Sequence, residues 1–249
     1  AALLSPSDAA LLSSPNNTLG IEYGRALLRV GAAPALFTIP RTGAAHDVTP
    51  ENAGGYSASA IRHLLAEGRR ADALSRMVPA MRAVYEAEES AGRAPVFAAA
   101  CERAILARLR SMTPAEFDAL DTGHEGVGQR LYNASRNAAT LDAVLDNAKT
   151  KRYAYARLRR MVLWAYLGLT PAKLPASVPY LRVLAANEIG RALLGRMRKT
   201  ARLPVITKPA AIRSLFPDAQ RLFETESRAA DLYALAYPEL TEACGSLWR

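Results

Sequence analysis

Apolar residues recur at helical spacing along most of the chain. In "LGIEYGRALLRVGA" they fall at Leu19, Tyr23, Ala26, Leu27 and Val30, a stripe along one side of a helix that Gly31 closes. "SASAIRHLLAEG" opens on serines and stops at Gly68, the mark of a second helix. Between them, "PALFTIP" is a short apolar run bounded by prolines and predicts a strand. From about residue 70 the period stays helical. It predicts helices over 71–91, 96–112, 114–120, 126–150, 153–167, 186–200 and 219–236, with "LPVIT" (203–207) as the one further strand candidate. "TPAE" (113–116) places a capping hydroxyl, a first-turn proline and a glutamate that reaches back, which together fix a helix start. Three prolines in "TPAKLPASVPY" (170–180) mark the longest connection. A lone strand makes no sheet, so residues 1–70 read as the last part of an α/β domain whose other strands are absent from the chain, and residues 71–249 as a helical domain.

Composition agrees with a globular, helix-rich protein: half of the 249 residues are hydrophobic and 22% are charged. No apolar run approaches the roughly 20 residues that span a bilayer, so no membrane partner is expected, and "VLWAYLGL" (162–169) reads as core. The opening "AALLSPSDAALLSS" has no basic leader, which points to the cytoplasm. Cys101 and Cys244 show no metal-type spacing, and both are expected to be reduced; no metal site is expected from the side chains. "NNT" and "NAS" fit the glycosylation pattern, which matters only in a secreted chain.

Charge changes the picture more. The net charge is +9, yet the segment from Lys149 to Arg202 alone carries 13 Lys or Arg against one acid, Glu188. A block of that kind suits a polyanion, because neutralising phosphates releases condensed counterions. Within it, "KTKRYAYARLRRM" (149–161) interleaves cations with Tyr153 and Tyr155, a pattern able to grip phosphates and stack on unpaired bases; a solvated helix face is the plainer reading of the same run.

Three earlier stretches carry candidate chemistry. In "SPNNTLG" the asparagines can cap a helix or meet a ligand, and taken alone capping is favoured. In "IPRTGAAHD" Arg41 follows the predicted strand, where a guanidinium fork can hold a phosphate; His46 beside Asp47 is a weak acid/base pair. In "GGYSASAIR" hydroxyls, free helix-start amides and Arg62 can converge on a phosphate, while an ordinary capped helix remains the alternative.

Taken in order, "SPNNTLGIEYGRAL", "IPRTGAAHD", "SASAIR", "EGVGQRL", "KTKRYAYARLRRM", "PYLRVLA" and "LPVITK" resemble the bacterial tRNA(Met) cytidine acetate ligase family over nearly the whole chain. The resemblance implies a Rossmann-like nucleotidyltransferase domain followed by a helical tRNA-binding domain. It also implies an ATP-dependent ligase that forms acetyl-adenylate and acetylates the wobble cytidine of elongator tRNA(Met), with acetate and tRNA as partners and magnesium accompanying ATP. By motif it assigns Asn16, Arg41, Ser59 and Arg62 to ATP, and places tRNA contacts at Lys149, Lys151, Arg152, Tyr153, Arg157 and Arg160. No catalytic residue is assigned. Two departures stand out. Gly128 in "EGVGQR" replaces a larger or acidic residue, which would loosen a helix start. The His-x-Gly-His ATP motif is absent, so the chain reads as an incomplete, inactive portion of such an enzyme. A non-catalytic RNA-binding module and a nucleotidyltransferase relative adenylating another carboxylate are the competing readings; Asn16, Arg41 and Arg62 argue against the module.

Overall fold

The structure, a computed structural model, describes residues 5, 12, 15–39, 57–121, 123 and 125–240. The chain is mostly helical and divides into two compact units, residues 1–60 and 61–249.

In the first unit, α1 (Pro15–Val30) ends as its sequence predicts: Gly31 takes φ 64°, and the amides of Gly31 and Ala32 return to the carbonyls of Leu28 and Leu27. Its apolar stripe stays largely exposed, with Val30 at 74%. Asn16 lies inside the first turn, so it is not the cap that the sequence favours. The strand predicted at "PALFTIP" does not form over residues 34–39; Leu36, Phe37 and Ile39 are exposed, and no neighbouring strand among the described residues offers their backbone a ladder.

α2 (Ala58–Ala66) starts where Ser57 Oγ accepts from the Ala60 amide at 3.2 Å and turns Ile61 and Leu64 inward. The helix predicted over 71–91 is two, α3 (Arg70–Ser75) and α4 (Pro79–Ser90), because Val78 is extended ahead of a proline that begins the next helix. A 3₁₀ turn (Ala98–Cys101) leads into α5 (Glu102–Ser111), and α6 (Pro114–Asp118) carries the predicted capping box: the Glu116 amide donates to Thr113 Oγ1, and the Thr113 amide donates to Glu116 Oε2 at 2.8 Å. The long helix predicted over 126–150 also divides, into α7 (Val127–Asn137) and α8 (Leu141–Ala148). Ala138 is extended and Thr140 caps the second piece through the Ala143 amide.

α9 (Tyr155–Leu167) packs against α5 and α8, and α5 to α9 enclose a core in which Leu109, Phe117, Leu131, Val144 and Leu158 are fully buried. The "VLWAYLGL" run supplies Val162 and Ala165 to it, as expected of core sequence. Beyond α9, β1 (Leu181–Arg182) and β2 (Val205–Ile206) form a two-stranded parallel pair, with Leu181 opposite Val205. Tyr180, Ile206, Ile212, Ala219 and Phe223 join that pair to α11 (Pro217–Ala234) in a second, smaller core. Between the strands, α10 (Glu188–Thr200) has no buried residue; Ile189 is 80% exposed.

Arginines tie the helix ends together. Arg110 donates to the Ala138 carbonyl after α7 (2.8 Å), Arg136 to Met112 after α5 (2.8 Å), and Arg130 to Ala148 at the end of α8 (2.7 Å). Carbonyls at helix C-termini have no intrahelical donor, and a guanidinium satisfies them. Part of the chain's positive charge is thus structural.

At Gly128 the backbone of α7 lies directly against Asp118 of α6. A Cβ there would lie 2.8 Å from the Asp118 backbone N and Cα, distances that no side-chain rotation relieves. The glycine lets α7 seat on α6 and does not loosen its start. Gly128→Ala should cost about 1–2 kcal/mol through this overpacking. A lowered midpoint in denaturant with an unchanged slope would report it; an unchanged midpoint would contradict it.

Candidate nucleic-acid interface

The basic run begins at the C-cap of α8 and continues through the first turns of α9. Thr150 Oγ1 accepts from the amides of Arg152 and Tyr153, both at 3.2 Å, and so fixes the turn that presents Lys149, Lys151 and Arg152 to solvent. α9 then turns Leu158, Met161, Val162 and Ala165 into the core, which leaves Arg159 and Arg160 on the outer face. Among the described residues, no ion pair engages Lys151 or Arg160. Arg159 lies 4.7 Å from the centre of the Tyr155 ring, and Lys149 lies 5.7 Å from it.

Two residues of the expected RNA set face inward. Tyr153 is 6% exposed and belongs to the core, and its hydroxyl donates to the Glu125 carbonyl, so its ring is not available for stacking on a base. Arg157 clasps Asp121 with both arms of its fork, Nη2 at 2.6 Å and Nε at 3.2 Å, and its Nη1 lies 3.2 Å from Glu125 Oε2. The Arg157 hydrogen bond holds the Asp121 carboxyl below its ordinary range, and Asp121 in turn raises the Arg157 guanidinium. Arg152 also sits 3.6 Å from Glu125 Oε2, but 65% of its side chain is exposed and the pair is weak. The charge run alone does not disclose these acids; they stand in "DTGHEG", just ahead of α7.

The more distant cations divide in the same way. Arg182 pairs with Glu226 at 3.0 Å and lies 5.2 Å from the centre of the Phe223 ring, whereas Arg191, Arg196, Arg198 and Lys199 are exposed on α10.

Of the ATP assignments, Asn16 is exposed in the first turn of α1. Ser59 and Arg62 lie three residues apart on α2, hence on neighbouring positions of one helix side, with Ser59 half-buried and Arg62 exposed. A hydroxyl and a guanidinium near a helix start are a donor set that fits phosphate oxygens. Arg41, His46 and Asp47 lie outside the described residues, as does Cys244. Cys101 is a buried free thiol. No group of His, Cys, Asp and Glu among the described residues is placed to hold a metal ion, and no helix among them is long and apolar enough to cross a membrane.

A family model described as HIGH nucleotidyl transferase matches residues 1–246. The chain belongs to that family. It is 32% identical over 239 residues to the tRNA(Met) cytidine acetate ligase of Acetivibrio thermocellus, a match covering 91% of this chain and 57% of the relative. It is 28% identical to the ligase of the same name from Thermotoga petrophila, over 94% of this chain and 59% of the relative. The chain therefore spans less than three fifths of the length of these curated relatives. Among solved structures it resembles apo Thermotoga maritima TmcAL (TM-score 0.85, 24% identity, 94% of this chain and 59% of that one), which shows the fold. It also resembles the same protein bound with alpha-thio ATP (TM-score 0.81, 26% identity, 95% and 58%).

Proposed function

We propose that this chain is part of an ATP-dependent ligase that acetylates the wobble cytidine of elongator methionine tRNA. The observation that carries the reading is the match to relatives named tRNA(Met) cytidine acetate ligase across more than nine tenths of this chain. In this reading acetate attacks the α-phosphate of ATP, pyrophosphate leaves, and the resulting acetyl-adenylate acylates the exocyclic amine of cytidine. Activation is needed because the oxygen that acetate must lose is a poor leaving group, whereas AMP leaves readily. Positive charge around the α-phosphate lowers the barrier by stabilising charge that develops in the displacement.

Residues 1–70 form the C-terminal part of the Rossmann-like nucleotidyltransferase domain, and residues 71–249 the tRNA-binding domain. Asn16, Arg41, Ser59 and Arg62 contact ATP, which enters with magnesium. The exposed apolar stripe of α1 supports this arrangement, since such a face suits packing against further strands. Lys149, Lys151, Arg152 and Arg160 take RNA phosphates, while Tyr153 and Arg157 hold the surface that presents them. The enzyme works in the cytoplasm. With no His-x-Gly-His sequence, this chain by itself is not expected to form the adenylate.

The test uses the intact protein that carries this chain, supplied with ATP, labelled acetate and elongator methionine tRNA. Label is expected on the wobble cytidine, with release of pyrophosphate. Absence of label, or transfer from acetyl-CoA alone, would overturn the reading.

A further inference from the structure

A groove of about 640 Å³ separates the proline-rich connection after α9 from α11, and none of the residues assigned above lines it. Three cations border it: Lys173 from the connection, and Arg221 and Arg228 from α11. Leu174, Pro175 and Leu222 give it an apolar portion. Two acids, Asp218 and Glu224, also line it, so the balance is positive by one.

The cations keep donors in hand. Lys173 Nζ donates to the Gly168 carbonyl at 2.8 Å, Arg221 pairs with Asp218 across one turn, and Arg228 reaches Thr225 Oγ1 at 3.5 Å. An ammonium has three N–H donors and a guanidinium five, so each retains several for a ligand. The volume falls within the range of about 300–1,000 Å³ that small-ligand sites occupy. A groove with cations beside an apolar surface matches a nucleotide, whose phosphate takes the charge and whose base takes the apolar contact.

We infer that this groove holds one nucleotide of the bound RNA strand, its phosphate held by Lys173, Arg221 and Arg228 and its base lying against Leu174 and Leu222. The inference rests on the tRNA-binding reading above. Two observations favour a strand over a free nucleotide. The connection that forms one wall leaves directly from α9, whose other end carries Lys149, Lys151 and Arg152, and α9 packs on α11, which forms the other wall. At 1.5 Å per residue α9 is about 20 Å long, a distance that a strand of several nucleotides covers.

The experiment measures binding of labelled elongator methionine tRNA to the intact protein that carries this chain by fluorescence anisotropy across a salt series. It compares wild type, R221Q/R228Q, a Lys208→Gln control outside the groove, and the triple alanine variant of Lys149, Lys151 and Arg152. R221Q/R228Q is expected to bind about tenfold more weakly with a salt slope reduced by up to about 0.7–0.9, the share of the one phosphate it holds, and the control to bind as wild type. Both arginines are exposed and at the surface of α11, so the fold should persist; the single variant Arg228→Gln, expected to lose about threefold, serves if the double variant melts early. Unchanged affinity in R221Q/R228Q, with the triple variant weakened, would overturn the groove and leave the tRNA reading standing. No binding by wild type would overturn both. Titration with adenosine monophosphate separates the sources: saturation at micromolar concentration, abolished in R221Q/R228Q, would mark a free-nucleotide site and overturn the assignment to a strand.

Discussion

Arg157→Ala should lower the unfolding free energy of this chain by about 2–3 kcal/mol while leaving tRNA affinity within about twofold of wild type. The guanidinium spends its fork on Asp121, whose side chain is 13% exposed, and reaches Glu125 as well. Removing it leaves a largely buried carboxylate uncompensated, at a cost close to that of breaking a buried pair. Arg157 also lies 5.6 Å from the centre of the Tyr153 ring, so truncation removes packing as well as charge. The sign of the pH dependence follows from Asp121. Its folded-state affinity for protons is depressed, so the pair contributes fully above the unfolded carboxylate range near pH 4, and the contribution is lost as pH falls through the folded value. Denaturant melts of wild type and variant should therefore differ most at neutral pH and converge in acid. A constant difference down to pH 2 would remove Asp121 from the account.

The triple variant of Lys149, Lys151 and Arg152 to alanine should show the opposite signature. All three side chains are exposed, and the one ion pair among them, Arg152 with Glu125 at 3.6 Å, is of the kind that adds little stability. The melting point should stay within about 2 °C of wild type, since a 1 kcal/mol change shifts it by only about 2–4 °C. Affinity for tRNA should fall about 100-fold at low salt, and the slope of log affinity against log salt should drop by about 2, because each lost phosphate contact removes roughly 0.7–0.9 of slope. Filter binding across a salt series reads both. A loss of affinity with an unchanged slope would mean that these residues act through the fold and not on phosphates.

These two results separate cations that adjoin in sequence, and sequence order does not make that separation by itself. The helical period does: Leu158, Met161, Val162 and Ala165 recur as an inward stripe, which puts Arg159 and Arg160 outside and Arg157 on its edge. The length of the basic run hides this, because charge counts carry no direction. Features settled within a few residues were legible, including the Thr113 capping box and the Gly31 stop. Features set by a distant partner were not. "PALFTIP" has the composition of a strand, but a strand exists only with a neighbour to pair with. β1 in "PYLRVLA" has little strand character and forms because Val205 and Ile206 lie beside it. The break between α7 and α8 is hidden because apolar residues continue through it, although Thr140 is a plain N-cap. In the candidate site, the cations were visible as a cluster, whereas the acids that immobilise Arg157 come from a segment more than 30 residues earlier.

α10 carries a last consequence. None of its 13 residues is fully buried, and a helix of that length is marginal in water on its own propensity. Its amides should therefore exchange with solvent by local opening, far faster than those of α5 or α7, and at a rate nearly independent of the stability of the five-helix core. A surface bearing Arg191, Arg196, Arg198 and Lys199 on such an element should open without unfolding the rest of the protein, so that a ligand ordering it would give up part of its binding energy to helix formation.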